Sequence, residues 1–264
     1  MIPDILDLQL SLRKQRQPYV LATVTEILGS SSAKPAAKAL LDHDGKVLAG
    51  WVGGGCAQSM VARAALECLK TGEPCVIDID LNDEIFGAGM PCGGAMRVYV
   101  EPVLPKPQLW LLGHGRIVEA VCEFAHRLGF DVIVDDPQAC ADRFPAATRL
   151  IDDDVRYRQL QPGSGDFVVI ATHHKGDYDA LSQALHSQAC YIALVSSRKR
   201  AKLVLDRLAG EGFSQTTLAA VRAPAGLDLA AKSPEEIALS IVSEMVALRR
   251  GGSGLPLSRA IAPA

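Results

Sequence analysis

Two glycine–cysteine turns hold the residues best suited to chemistry. The first is Trp51-Val52-Gly53-Gly54-Gly55-Cys56, and the second is Met90-Pro91-Cys92-Gly93-Gly94. Glycines at a helix start leave backbone N–H groups open with no side chains in the way, which suits an anion or a cofactor phosphate. A cysteine at the same place has its sulfur at the positive end of the helix dipole, which favours a thiolate. Such a sulfur fits sulfur transfer or a thiophilic metal such as Cu(I). Cys56 and Cys92 are therefore the candidate catalytic and metal-binding residues, cradled by Gly53, Gly54, Gly55, Gly93 and Gly94. The two turns are expected to wall one pocket near a domain boundary. Cys68, Cys75, Cys122, Cys140 and Cys190 are expected in the core, because free cysteine is among the most buried residue types. No C-x₂-C pair points to a closed structural zinc site.

A second constellation lies further on. Leu111-Leu112-Gly113-His114-Gly115-Arg116 follows a strand pattern and opens a helical one. Gly113 would allow the tight turn and Gly115 the approach of a phosphate to the helix N-terminus. Asp135 and Asp136 close the next strand, where an acid would meet a ribose hydroxyl. The third glycine of the dinucleotide fingerprint is missing, with Val118 in its place. Ala171-Thr172-His173-His174 and Ser196-Ser197-Arg198-Lys199-Arg200 each follow a strand's carboxyl end, where open α/β sheets bind ligands. His173 could act as acid, base or ligand, and Arg198 could meet an anion. Alternatively the glycines only permit close packing, and Lys199, Arg200 and Lys202 form a solvated helix face.

These residues must be positioned by two kinds of domain. Residues 1–17 read as an amphipathic helix with Ile5, Leu8 and Leu12 on one face. Residues 18–28 read as a buried strand, 38–41 and 46–51 as a hairpin, 57–69 as a helix with Met60, Ala64 and Leu69 inward, and 75–80 and 94–101 as strands. Three prolines within 102–107 argue against a central strand and mark a linker. Beyond it, strands expected at 108–112, 130–134, 148–151, 167–171 and 191–195 alternate with helices at 116–128, 178–186 and 198–208. That alternation belongs to a parallel sheet covered on both faces. Ser233-Pro234-Glu235-Glu236 is a capping-box start for a last helix running to about residue 250. The fold class is thus α/β: an N-terminal mixed α+β domain over 1–104, a Rossmann-like domain with a mostly parallel sheet over 105–250, and a disordered tail over 251–264.

Across 264 residues the formal net charge is -3 and aromatics are 5%. Neither a broad basic face nor an aromatic stacking platform is implied, which argues against nucleic acid as the main partner. No apolar run is long enough to span a membrane. The N-terminus lacks a secretory pattern and the seven cysteines are scattered, so a cytoplasmic protein with free thiols is expected.

Taken in order, these motifs resemble the XdhC/CoxI family, the xanthine dehydrogenase accessory proteins. The resemblance rests on Gly29-Ser30-Ser31, the turn ending at Cys56, Met90-Pro91-Cys92-Gly93-Gly94 and the Gly113–Gly115 turn. It continues through Ala171-Thr172-His173, Ser197-Arg198-Lys199, Ala223-Pro224-Ala225-Gly226-Leu227-Asp228 and Pro234-Glu235-Glu236-Ile237-Ala238. It implies a maturation chaperone, more an accessory protein than an enzyme. Such a protein binds the molybdenum cofactor (molybdopterin or its cytosine dinucleotide form) and supports its sulfuration by a cysteine desulfurase. It then hands the cofactor to an apo molybdenum hydroxylase of the xanthine dehydrogenase or CO dehydrogenase type. It implies Ser30, Ser31 and Lys34 beside the cofactor phosphate, and a homodimer is expected. Here the family's loop reads Ser32-Ala33-Lys34 where proline and arginine are usual, and Gln58 stands where glutamate is usual. Two other readings fit the residues. One is an NAD(P)-dependent oxidoreductase using Gly113, Gly115, Asp135 and His173. The other is a Cu(I) or sulfur carrier using Cys56 and Cys92.

Overall fold

The structure is a computed structural model that describes residues 4–29, 31–80, 94–172 and 176–259. The chain divides into two compact units, Met1–Pro105 and Lys106–Ala264. Among the described residues no helix is long and apolar enough to cross a membrane.

The first unit runs α1 (Ile5–Lys14), β1 (Tyr19–Gly29), β2 (Lys38–Leu41), β3 (Val47–Gly50), α2 (Gly55–Thr71), β4 (Cys75–Asp80) and β5 (Gly94–Val103). The strands form one antiparallel sheet in the order β3-β2-β1-β5-β4. Alternate residues of β1 (Val20, Ala22, Val24) and β5 (Met96, Val98, Val100) face α2 and are buried. The period of two thus turns one face of each strand inward. On α2 the buried stripe is Ala57, Val61, Ala65 and Cys68. This corrects the expected phase: Met60 is exposed, and Ala64 and Leu69 only flank the core. The helix starts at Gly55, and its small Ala57 and Ala65 let it lie close on the sheet. On α1, Ile5, Leu8 and Leu12 are half-buried and Leu6 and Leu10 exposed.

The linker expectation also needs correction at its start. Pro102 and Val103 continue β5 and pair with Val20 and Tyr19 of β1. The β4 pairing has already ended at Cys75 and Val100, so β5 has a partner on one side only at Pro102. That is the edge-like setting in which a strand tolerates proline.

The second unit runs β6 (Gln108–Gly113), α3 (Arg116–Arg127), β7 (Asp131–Asp135), β8 (Arg149–Ile151), β9 (Phe167–Ala171), α4 (Asp177–Leu185), β10 (Tyr191–Leu194), α5 (Arg198–Gly210), α6 (Gln215–Ala219) and α7 (Pro234–Arg250). All pairings in its sheet are parallel, in the order β10-β9-β6-β7-β8. This is the doubly wound Rossmann order, with the chain reversing direction between β6 and β9. One face packs Leu109, Leu111, Val132 and Val134 against α3 and α7, including Val121, Ile241 and Met245. The other packs Leu112, Ile133, Ile170 and Leu194 against Leu181 of α4 and Leu208 of α5. Burial on both faces explains why these strands read as unbroken apolar runs.

The expected capping box of α7 is present: Ser233 Oγ accepts from Glu236 N–H, and the Glu236 carboxylate accepts from Ser233 N–H. Helix α6, capped by Ser214, was not expected, because five residues are too few to show a period. Within 251–264, the described part forms turns and a short 3₁₀ helix over Leu257–Arg259, all exposed.

Candidate functional site

In the first unit the sheet brings three motif segments to one end. Gly29, which ends β1, pairs with Gly94, which starts β5. Gly53 lies near Met96, two residues into β5: a Cβ built on it would sit 3.7 Å from Met96 Sδ. Gly53 has φ +137°, and the same Cβ would come within 2.9 Å of Ala57 Cβ. Glycine is therefore required there by both conformation and space. Gly54 and Gly55 are different, since a Cβ on either would meet nothing within 4 Å. Their lack of side chains leaves open space rather than relieving a clash. Gly54 is the N-cap of α2 and makes no side-chain cap hydrogen bond, so this position gives the first-turn N–H groups no side-chain acceptor. Cys56 sits half-buried in this first turn.

The loop after Gly29 folds back on β1, with Ala36 N–H donating to Val24 O and Val24 N–H to Ala37 O. Ser31 Oγ accepts from Ala33 N–H at 3.2 Å, and the Lys34 side chain is exposed. Ser30, Cys92, Gly93 and His173 lie outside the described residues, so the proposed pairing of Cys56 with Cys92 rests on sequence. The expectation that the remaining cysteines are core holds for Cys68 and Cys122. It fails for Cys140 and Cys190, which are exposed, and for Cys75, which is half-buried. Cys140 sits on an irregular connection and Cys190 just before β10.

In the second unit the site forms at the carboxyl edge of the parallel sheet. Gly113 has φ +127°, and a Cβ on it would collide with the Ala171 carbonyl of β9. Gly115, at φ +98°, caps α3 without any side-chain acceptor. Beside it a cavity of about 360 Å³ is lined by His114, Gly115, Arg116, Ala171, Val195 and Pro234. Arg116 ties the start of α3 to the start of α7 through Glu235, at 2.7 Å. Val118, standing where a third glycine would be, is buried in the core under α3.

The two acids after β7 separate in role. Asp136 Oδ1 lies 3.0 Å from His114 Nδ1 and also accepts from Gln138 N–H. Asp135 is fully buried, and neither of its oxygens has a hydrogen-bond partner among the described residues. Burial, with the charges of Asp154 and Asp136 adding to it, pushes its carboxyl up to about 7. Burial also acts to raise Asp154, but N–H groups of Gln159, Arg158 and Arg156 outweigh it and hold that carboxyl below the usual range.

A second cavity of about 490 Å³ lies past Val195, between the end of β10 and α7, with Ser196, Arg198, Gly226, Asp228 and Ser240 on its walls. Arg198 is exposed at its rim, and Ser196 Oγ is buried with no partner among the described residues. Only glycine fits at 226, at φ +96°, since a Cβ there would overlap Ser240 Oγ.

Sequence reasoning missed the network behind this edge. Asp177, 1% exposed at the start of α4, accepts from Thr172 Oγ1 at 2.6 Å and from Arg200 Nε at 3.1 Å. Arg200 is therefore an ion-pair partner and not part of a solvated helix face. Its only sequence signal was a basic residue near a helix start, 23 residues from its partner. Asp177→Ala is expected to cost about 2–3 kcal/mol, because it strips a half-buried guanidinium and a buried hydroxyl of this acceptor. A denaturant-unfolding midpoint unchanged from wild type would show that the network carries no such stability.

Comparison with known proteins agrees with this layout. A family model described as the XdhC Rossmann domain matches residues 109–245, and one described as the XdhC and CoxI family matches 12–80. The chain is 28% identical to an Escherichia coli K12 protein named uncharacterized protein YqeB, over 92% of this chain and 46% of that one. It is 32% identical to a Bacillus subtilis 168 protein named as a probable xanthine dehydrogenase subunit, over 58% of this chain and 46% of that one. It is 23% identical to the molybdenum cofactor insertion chaperone PaoD of E. coli K12, over 87% of this chain and 83% of that one. The chain thus spans about half the length of the first two relatives.

Proposed function

On the premise that this chain belongs to the XdhC and CoxI family, we propose that it is a maturation factor for a molybdenum hydroxylase, with the molybdenum cofactor as its cargo. The observation that carries this reading is the alignment along most of both chains with a relative named as a molybdenum cofactor insertion chaperone. The B. subtilis relative, by its name, supports a client of the xanthine dehydrogenase type.

The residues present fit such a cargo. Its phosphate would be held by first-turn N–H groups at Gly54, Gly55 and Cys56, with Ser30, Ser31 and Lys34 beside them, and Gly53, Gly93 and Gly94 keeping the walls bare. Cys56 and Cys92 would be the sulfur-handling pair. In the second unit, the turn at Gly113 and Gly115, which has no side-chain cap, is proposed to take a nucleotide phosphate, with Asp135, His173 and Arg198 as further binding residues; the cargo is molybdopterin or its cytosine dinucleotide form. When bound, the cargo supplies a thiophilic metal centre. The chain's own part is to bind the anion, exclude water and present thiols. The finer parts of the proposal are sulfuration by a cysteine desulfurase, a homodimeric chaperone, and work in the cytoplasm.

The test is gel filtration of the purified chain with molybdenum cofactor, reading molybdenum in the protein peak. Co-elution is expected, with Cys56→Ala weakening retention about tenfold for a lost contact of roughly 1.4 kcal/mol. Activation of an apo molybdenum hydroxylase should fall with it. No co-elution, together with full client activation by both the Cys56→Ala and Cys92→Ala variants, would overturn the reading.

A further inference from the structure

The two thiols that the sequence assigned to the core, Cys68 and Cys75, meet. Their sulfurs lie 3.3 Å apart. Cys68 is in the last turn of α2, and Cys75 is the first residue of β4. Between them the chain reverses at Gly72, whose φ of +74° caps the helix and whose N–H donates to Cys68 O. Both cysteines are held against the same point of β5. Cys75 pairs in register with Val100, and Cys68 Sγ lies 3.7 Å from Val100 O. Along α2 this pair is about 18 Å from Cys56, at 1.5 Å per residue, so it is separate from the candidate cargo site.

We propose that Cys68 and Cys75 form a reversible disulfide that staples the carboxyl end of α2 to the sheet, exchanged with small-molecule disulfides of the glutathione type. The geometry prepares the bond. The sulfurs must close by about 1.3 Å to reach a bond of about 2.05 Å, and helix, turn and strand pairing already hold both ends. Exposure sets the order of events. Half-buried Cys75 is the residue that solvent-borne reagents reach, whereas Cys68 is 3% exposed. Burial, with the Cys75 thiol beside it, pushes the Cys68 thiol up to about 11, so Cys68 is a poor first attacker; what fits it to the resolving step is its place 3.3 Å from Cys75 Sγ, where attack is intramolecular. In the first step the Cys75 thiol loses its proton and attacks one sulfur of the small disulfide. A mixed disulfide forms on Cys75, and one small thiol leaves. In the second step Cys68 loses its proton and attacks Cys75 Sγ, forming the Cys68–Cys75 bond and releasing the second small thiol. Two protein thiols are oxidised and one small disulfide is reduced to two thiols. An added dithiol reverses both steps.

The test uses the full reduced chain, equilibrated with glutathione disulfide and glutathione at a series of ratios, acid-quenched, alkylated with N-ethylmaleimide and peptide-mapped. The expected product is a linked Cys68–Cys75 peptide pair, lighter by two hydrogens and restored by dithiothreitol. The exposed Cys140 and Cys190 should stop at mixed disulfides under the same conditions. In Cys68→Ser, Cys75 should also stop at the mixed disulfide. A thermal midpoint raised by roughly 5 °C in the oxidised chain is a second expected readout that needs no variant. Three outcomes overturn the proposal: wild-type Cys75 left as the glutathione adduct, Cys75 bonded to any other cysteine, or Cys75 still fully alkylated at ratios that modify Cys140.

Discussion

Gly113→Ala is expected to destabilise the second unit by about 3–5 kcal/mol, lowering its thermal midpoint by roughly 10 °C. Two causes act together. The residue holds φ +127°, which a Cβ disfavours, and that Cβ would lie 2.6 Å from the Ala171 carbonyl carbon and 3.1 Å from Thr172 N, besides colliding with the Ala171 oxygen. These are backbone atoms of the neighbouring strand, paired to Gly113 in the sheet. They cannot swing aside as a side chain could without breaking the β6–β9 ladder under the candidate site. The natural control is Gly54→Ala in the first unit. That residue has φ -65° and open space around it, so the cost is only that of a poorer N-cap, about 1 kcal/mol. If Gly54 is bare to admit cargo, the control should lose cargo retention while its melting temperature falls far less than that of Gly113→Ala. Calorimetric or circular-dichroism melts of the two variants decide the matter. A Gly113→Ala midpoint within about 2 °C of wild type would mean that β9 yields, and that the glycine is not there for close packing.

The contrast between those two glycines shows what was legible in the chain. Both read as members of glycine-rich turns before helices, and both turns exist as read. Nothing in their spacing tells which glycine relieves a clash and which keeps a space empty, because that depends on whether a strand from another part of the chain passes within 4 Å. The same boundary recurs elsewhere. The unbroken apolar runs of β6, β7 and β9 and the Ser233 capping box are local patterns, and they produced the elements expected of them. The apolar pattern of α2 points Met60, Ala64 and Leu69 inward, but the buried stripe is Ala57, Val61, Ala65 and Cys68, because small residues that fit the sheet choose it and not the largest apolar ones. The proline pattern ends the strand before Pro102, but proline's penalty depends on a neighbour that here stops two residues earlier. Asp177 with Arg200, and Cys68 with Cys75, are pairs made by chain reversals whose lengths carry no period. Cys140 and Cys190 were read as core from the average burial of cysteine, and an average does not see which connection is left uncovered.

Asp135→Asn is expected to stabilise the second unit at pH 8 by on the order of 2–4 kcal/mol and to change little at pH 4. The wild-type carboxyl is held at about 7 in the folded chain, above its ordinary value of 3.8. The folded state therefore keeps this proton over a range where the unfolded state has lost it. Between those two values stability falls as pH rises, by up to about 1.4 kcal/mol per unit, and above the upper value the loss is complete. Asp154 acts with the opposite sign: its carboxyl is held low, so its contribution is present at neutral pH and disappears in acid. Subtracting the stability–pH curve of Asp135→Asn from that of wild type removes the Asp154 part and leaves the Asp135 slope alone. Asparagine keeps the shape and leaves a neutral amide in the same buried place, so the difference reports charge and not packing. A fully buried carboxylate with neither oxygen partnered among the described residues is a penalty that a fold without a use for it would shed, since such breaches of local consistency gather at functional sites. A cargo hydroxyl or amine donated to Asp135 would relieve the penalty. The cargo should then raise the melting temperature of wild type at pH 8 more than that of Asp135→Asn. Equal cargo-induced shifts in the two proteins, with the pH slope still present in wild type, would leave the carboxylate charged and buried but outside the binding site.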